Sequence, residues 1–304
     1  MGFMSGNTAL SVYSVPGVGK YFDDGKLRAR AFVPEIDAED TRTGWVGIGD
    51  LLDYAFDRGI RFDDYAVFSL RTDTRKPSSA SIKLLLAEAV RDEEQKTGGR
   101  VSRARKAELK ELITLRVRSR TDYTPSMIDL MIDFGNERLL VSSVSEKAND
   151  TVLELFMATF ECERPERIYA ADPEAMALTL TDLCQGNALD NSGWSVSAYG
   201  SADLQAADNE GEKRNVSVKN DTSVIVEALS HGYTLKQARL VAGNSDHGEE
   251  VFDFVLNGEL AVSGLKFPKW PADKENPDSE ICLRTAFLAR ASELLVLLCG
   301  DRES

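Results

Sequence analysis

The sequence predicts an α+β protein in which antiparallel sheets carry packed helices and one basic helical hairpin projects. Three observations predict it. Short segments alternate apolar and polar residues between hairpin turns such as Phe134-Gly-Asn-Glu137 and Asn257-Gly258. Longer segments repeat apolar residues every three or four positions, as in Ile82, Leu85, Leu86, Ala89 and Val90. The run Arg100 to Arg120 concentrates positive charge in a chain of 304 residues whose net charge is −14.

Taken in order, Leu10 to Val15 alternates as a strand, and Pro16-Gly-Val-Gly19 ends it as a turn. Gly17, Gly19 and Lys20 do not form a phosphate loop. Ser14 stands where the earlier glycine is needed, and Tyr21 stands where a Ser or Thr must bind magnesium. A short strand is expected at Ala31 to Val33. Trp45, set between Gly44 and Gly47, reads as a packed anchor rather than a binding platform. Leu51, Leu52, Ala55 and Phe56 have the spacing of a short helix over Asp50 to Phe56, and Tyr65 to Arg71 reads as a buried strand.

Pro77 with Ser78 and Ser79 opens a helix reaching about Lys96, and Thr97-Gly-Gly99 breaks it. Ser102 caps a second helix whose stripe is Leu109, Leu112, Ile113 and Val117. Met127 to Asp133 and Arg138 to Val144 form a strand hairpin. A helix over Lys147 to Phe160 turns Val152, Leu153, Phe156 and Phe160 inward. Glu163-Arg-Pro-Glu166 is the candidate boundary between an N-terminal lobe, 1–165, whose helical arm spans about 77–118, and a C-terminal lobe, 166–304. In that second lobe Ser223 to Leu229 is a short helix. Tyr233 to Val241, Val251 to Leu256, Leu260 to Val262 and Leu265 to Phe267 are strands, with turns at Asn244 to Gly248 and at Asn257-Gly258. Pro268 to Pro277 is a polar loop, and an apolar helix runs from about Ala286 to Leu298.

Composition narrows the chemistry. Cys162, Cys184, Cys282 and Cys299 are far apart, with no C-x-x-C pair, which argues against zinc and for buried thiols in a reducing cytoplasm. No signal peptide and no run of the roughly 18 apolar residues of a membrane span is expected, and Gly2 lacks the wider context of a myristoylation site. His231 and His247 have no nucleophile partner at a useful spacing. Asp129 and Asp133 share one strand face; they form either a solvated face or a divalent-metal pair of the kind a nuclease uses.

The basic run carries Arg100, Arg103, Arg105, Lys106, Lys110, Arg116, Arg118 and Arg120 against only Glu108 and Glu111, a local balance of +6. It reads either as a solvated helix face or as an arm presented to a polyanion. Lys76 and Lys83 would extend it. Tyr123 beside it is either a core tyrosine or a stacking platform for an unpaired base.

The order Gly44-Trp45-Val46, Leu70-Arg-Thr-Asp-Thr-Arg-Lys-Pro-Ser78, basic helical arm and Met131-Ile-Asp133 hairpin resembles the recombination-associated RdgC family. So do Leu178-Thr-Leu-Thr-Asp182 and the stretch Asn257 to Phe267. The resemblance implies a non-catalytic α+β protein without cofactor or metal. It implies a ring-shaped homodimer whose positive hole takes duplex DNA, nucleoid-associated in the cytoplasm. Such a protein binds single- and double-stranded DNA with little sequence preference and restrains the RecA recombinase. The family's tip positions fall at Val218-Lys219-Asn220-Asp221, and its aromatic after the arm falls near Tyr123, with Asp122 competing. The implied DNA-binding set is therefore Lys76, Lys83, Arg103, Arg105, Lys106, Arg116, Arg118, Arg120, Tyr123, Lys219 and Asn220. The first forty residues and the acidic stretch Ser201 to Gly211 depart from the family pattern. A metal-dependent nuclease and a protein-interaction adaptor are the competing functional classes.

Overall fold

The alternation at Leu10 to Val15 becomes strand β1 (Asn7–Ser14) in a computed structural model. The structure describes residues 2–34, 41–168, 173–191, 193–207, 213–244, 251–258, 260–270, 273, 276 and 278–298. His247, Cys299, residues 245–248 of one expected turn, residues 208–211 of the acidic stretch, and Pro271 and Pro277 of the expected loop lie outside these.

Two short helices, α1 (Val18–Tyr21) and α2 (Asp24–Ala29), follow β1 and were not foreseen. Asp23 starts α2 by accepting a hydrogen bond from the Lys26 amide. Strands β2 (Thr41–Val46), β3 (Arg61–Phe62) and β4 (Tyr65–Thr74) lead to helices α3 (Ser79–Thr97) and α4 (Arg103–Ser119). Then come β5 (Thr124–Asp133), β6 (Arg138–Val141), α5 (Glu146–Phe160), β7 (Glu166–Arg167) and α6 (Pro173–Cys184). The remainder comprises β8 (Leu189–Asn191), β9 (Trp194–Ala207), β10 (Lys213–Val218), α7 (Thr222–Ser230), β11 (Thr234–Asn244), β12 (Val251–Asn257), β13 (Val262–Lys266) and α8 (Ser279–Leu298). Helices and antiparallel strands are thus mixed, as an α+β class requires. The strand order is β10-β9-β11-β12-β13-β1-β6-β5-β4-β2, with β3 beside β4, β7 beside β1 and β8 beside β9.

Backbone contacts divide the chain into two compact units. One comprises Met1–Ala31, Trp45–Leu70 and Ile128–Ser304; the other comprises Phe32–Gly44 and Arg71–Met127. The first unit holds two hydrophobic cores, and β1 serves both. Leu10 and Val12 enter a core built with α6, α7 and α8, whereas Tyr13 and Val15 enter a core built with α5. Strand side chains alternate between faces, so this split follows from the period of two. Ser11, buried between them, donates to the Ser143 carbonyl at 2.7 Å. Trp45 is a packed anchor: it is fully buried, and its Nε1 donates to Thr159 Oγ1 at 2.8 Å. Val152, Leu153, Phe156 and Phe160 are buried as their spacing requires.

Some expectations fail for identifiable reasons. Asp50 to Phe56 is a series of turns, not a helix. Asp50 Oδ1 accepts from the Leu52 amide and Asp53 Oδ1 from the Asp57 amide, so aspartate side chains satisfy donors that a helix would have used. Phe56 is buried in a left-handed conformation while Leu52 is 71% exposed. Ala31 to Val33 is no strand; Ala31 makes a single parallel bridge to Trp45. The expected pair of strands from Leu260 to Phe267 is the single strand β13. The last helix begins at Ser279, seven residues before Ala286, because Arg284 faces inward and breaks the apolar pattern. Its guanidinium donates to the carbonyls of Phe3 and Ser5, both at 2.7 Å.

Candidate nucleic-acid interface

Within the second unit, Ser78 caps α3 by accepting from the Ser81 amide and Ser102 caps α4 by accepting from the Arg105 amide. Gly98 ends α3 with φ at 68°, a conformation that costs glycine little. The two helices pack on each other. Ile82, Leu85, Leu86, Ala89 and Val90 are half-buried on α3, and Leu109, Ile113 and Val117 are half-buried on α4. Leu112, expected on that stripe, is instead 59% exposed, and no residue of either helix is fully buried. The i, i+4, i+8 row from Leu109 suffices for one helix-to-helix contact and leaves Leu112 on its flank.

The charges distribute unevenly. Helix α4 carries six basic and two acidic residues, while α3 carries three basic and four acidic ones. Arg103, Lys106 and Lys110 recur at i, i+3 and i+7 on one side of α4, all exposed. Arg116 and Arg118 stand in its last turn, where positive charge also complements the helix dipole, and Arg120 caps it. Arg116 and Arg120 are exposed; Arg118 is half-buried. Arg105 is committed within the unit, to Glu93 at 2.7 Å and to Glu108 at 2.9 Å, and those hydrogen bonds hold its proton more tightly than usual. Lys76 and Lys83 are exposed before and on α3.

Tyr123 is neither a core tyrosine nor an open platform. The guanidinium carbons of Arg42 and Arg75 both lie 4.1 Å from its ring centroid. Arg42 also donates to Asp73 Oδ2 from Nη2 at 3.0 Å. Arg71 grips the same carboxylate from Nε at 2.8 Å and Nη2 at 2.9 Å. Arg71 in turn lies 4.2 Å over the Phe32 ring. Asp73 is buried, which by itself raises a carboxyl pKa, but hydrogen bonds from Arg71 and Arg42 outweigh burial and hold it below the usual range. Arg42 and Arg71 therefore share one carboxylate, and Arg42 and Arg75 stand over the aromatic ring. The sequence reading missed Arg42, Arg71 and Asp73. The i, i+2 spacing of Arg71 and Asp73 on one strand face was a usable signal; Arg42 gave none, being far away in the chain.

The remaining candidates belong to the first unit. Lys219 is exposed. Asn220 adopts φ of 57°, and its amide donates to Ser201 Oγ at 3.1 Å, so it shapes backbone as much as surface. Asp129 and Asp133 do not form a solvated strand face, since each is 2% exposed. Asp129 accepts from the Phe3 amide at 2.7 Å and from Ser69 Oγ at 2.6 Å, and burial pushes its pKa up. Asp133 accepts from the amide and Nδ2 of Asn136, closing the hairpin turn. Their oxygens are used in folding. Among the described residues no group of three His, Cys, Asp or Glu side chains is arranged to hold a metal. Cys184 is buried and its thiol is pushed up to about 11, so it is a poor nucleophile. His231 caps α7, with Nδ1 2.9 Å from the Glu227 carbonyl.

A family model described as "Putative exonuclease, RdgC" matches residues 23–290. The chain belongs to the RdgC family. The RdgC match runs from α2 into α8 and takes in α3, α4 and the arginine cluster around Tyr123, leaving β1 outside. A search of curated proteins finds no match. Among the described residues no helix is long and apolar enough to cross a membrane.

Proposed function

We propose that this RdgC-family chain is a recombination-associated DNA-binding protein that takes duplex and single strands without sequence preference and performs no catalysis. Family membership supports the association with DNA. The observation that carries the rest is the exposed basic surface of α4, with Arg103, Lys106, Lys110 and Arg116 in a chain of net charge −14. Phosphates meeting these groups release counterions, which favours binding whatever the base sequence. The acidic remainder repels DNA and leaves the basic helix as the favourable contact. In this reading the arm formed by α3 and α4 projects toward DNA. Two copies close a ring around the duplex, in the cytoplasm at the nucleoid, and the bound protein restrains RecA.

The test is affinity against salt on linear and on small covalently closed circular duplexes, with magnesium present and the DNA checked for cleavage. A phosphate-driven binder gives a logarithmic slope near −0.9 per phosphate neutralised, so several contacts give a steep fall. Intact DNA and weaker binding to closed circles are expected. Flat or absent binding removes the reading and leaves a protein-interaction adaptor. The description of the matching family favours one second reading, an exonuclease. Magnesium-dependent loss of nucleotides from linear but not circular DNA would establish it, and would require carboxylates other than the occupied Asp129 and Asp133.

A further inference from the structure

In the first unit the residues of β9, β11 and β12 that enter the core beside α6, α7 and α8 alternate with an outward row that is polar along β9 and mixed on β11 and β12, where Arg239 and Asp253 stand among Val241, Val251 and Val255. Along β9 that row begins Ser195, Ser197, Tyr199, all exposed. Tyr199 is 57% exposed, and the Arg239 guanidinium of β11 lies 5.2 Å from its ring centroid. A β-bulge aims it. The register of β9 against β11 slips between Ala238 and Leu240, and Gly200 takes φ of 54°. The bulge is pinned by neighbouring backbone: the Asp221 amide donates to the Gly200 carbonyl at 2.7 Å, and the Asn220 amide to Ser201 Oγ at 3.1 Å. A Cβ on Gly200 would come within 3.3 Å of the Asn220 backbone, so the close approach needs glycine.

Beside Tyr199 runs a groove of about 490 Å³ whose lining includes Ser201, Ser217, Lys219, Gln237 and Arg239. The acids on this face are already satisfied. Asp253 accepts from Arg239 and from Lys266 at 2.6 Å, and those hydrogen bonds keep it ionised; Asp203 accepts from Gln237 at 2.5 Å. Lys219 forms no ion pair among the described residues.

We infer that this open sheet face is a single-strand platform, on which an unpaired base stacks against Tyr199 while Lys219 meets the adjacent phosphate. A rigid aromatic beside a guanidinium, with amides and hydroxyls in a shallow groove, is the chemistry that holds unpaired bases with little sequence preference. Duplex DNA has no unstacked base to offer it. The inference rests on the DNA-binding reading but assigns the single strand to a surface of its own.

The experiment titrates the full chain with a fluorescein-labelled oligothymidylate and with the matched duplex. Tyr199→Ala weakens single-strand binding about tenfold and leaves duplex binding unchanged, while Tyr199→Phe retains both. Irradiation with an oligothymidylate carrying one 5-iodouracil places the cross-link on Tyr199. Unchanged single-strand affinity in Tyr199→Ala, an equal loss on both DNAs, or cross-links only elsewhere overturns the platform while wild-type binding keeps the DNA reading. If the wild type binds neither DNA, both fall. A loss of self-association in Tyr199→Ala with unaltered single-strand binding marks the face as a protein contact and likewise overturns it.

Discussion

Helices α5 and α4 look alike on paper and differ in the structure. Each has a serine cap and apolar residues at three- and four-residue intervals. Helix α5 buries six residues, among them Val152, Leu153, Phe156 and Phe160, whereas α4 buries none and packs a half-buried stripe on α3. The difference lies in what each stripe meets: a sheet core in one case, a single helix in the other. A helix supported on one side only keeps most of its surface for solvent or a ligand, and the charges of α4 occupy that surface. Stability resides mainly in the first unit's cores, and the proposed phosphate contacts reside on a scaffold that contributes little to them.

This contrast can be broken at graded positions. Phe156→Ala, in the α5 core, is expected to cost about 3–5 kcal/mol by urea denaturation. A loss below about 1 kcal/mol would mean that α5 is not the anchor it looks to be. Asp73→Ala leaves Arg42 and Arg71 without their shared carboxylate and should cost about 3 kcal/mol. Because the Asp73 pKa is lowered by folding, its contribution is complete above the ordinary carboxylate value of about 3.9 and is lost as pH falls through the lower folded value. Thermal melts across acidic pH should show a steeper decline in wild type than in Asp73→Asn; parallel curves would contradict this.

Reversing Arg103, Lys106 and Lys110 to Glu should leave the melting temperature nearly unchanged, yet weaken DNA binding on every sequence alike and flatten the salt slope by about three phosphate contacts. A loss confined to one sequence would speak against phosphate contact. The smallest effects sharpen the packing of α4: Leu112→Ser should change stability by no more than about 0.5 kcal/mol, while Ile113→Ser costs more. Equal costs would show that the stripe is misplaced.

Much of this was legible beforehand because the relevant signals are local. The caps at Ser78 and Ser102, the glycine turn, the inward face of α5 and the 134–137 hairpin depend on neighbours in the chain. Tertiary features escaped. Nothing local distinguishes Leu112 from Leu109, or shows that Asp50 and Asp53 spend their oxygens on turn amides. The long strand β9 was illegible because its bulge interrupts the alternation that would announce it. The basic candidates were visible as residue types, but the engagement of Arg105 by Glu93 and of Tyr123 by Arg42 required distant chain segments to meet.

Strand β1 has one more implication, for how the chain comes together. Leu10 pairs with Val262, about 250 residues later, while Ser11 to Ser14 pair with Val141 to Arg138. During synthesis at about 5–20 residues per second, β1 emerges first and waits many seconds for β13. Contacts of such long sequence separation slow folding, so the last sheet pairing and the closing of α8 over it should limit the rate of refolding. Until then the apolar faces of β11 and β12 stand open, which makes a late-stage nascent chain the form most exposed to aggregation.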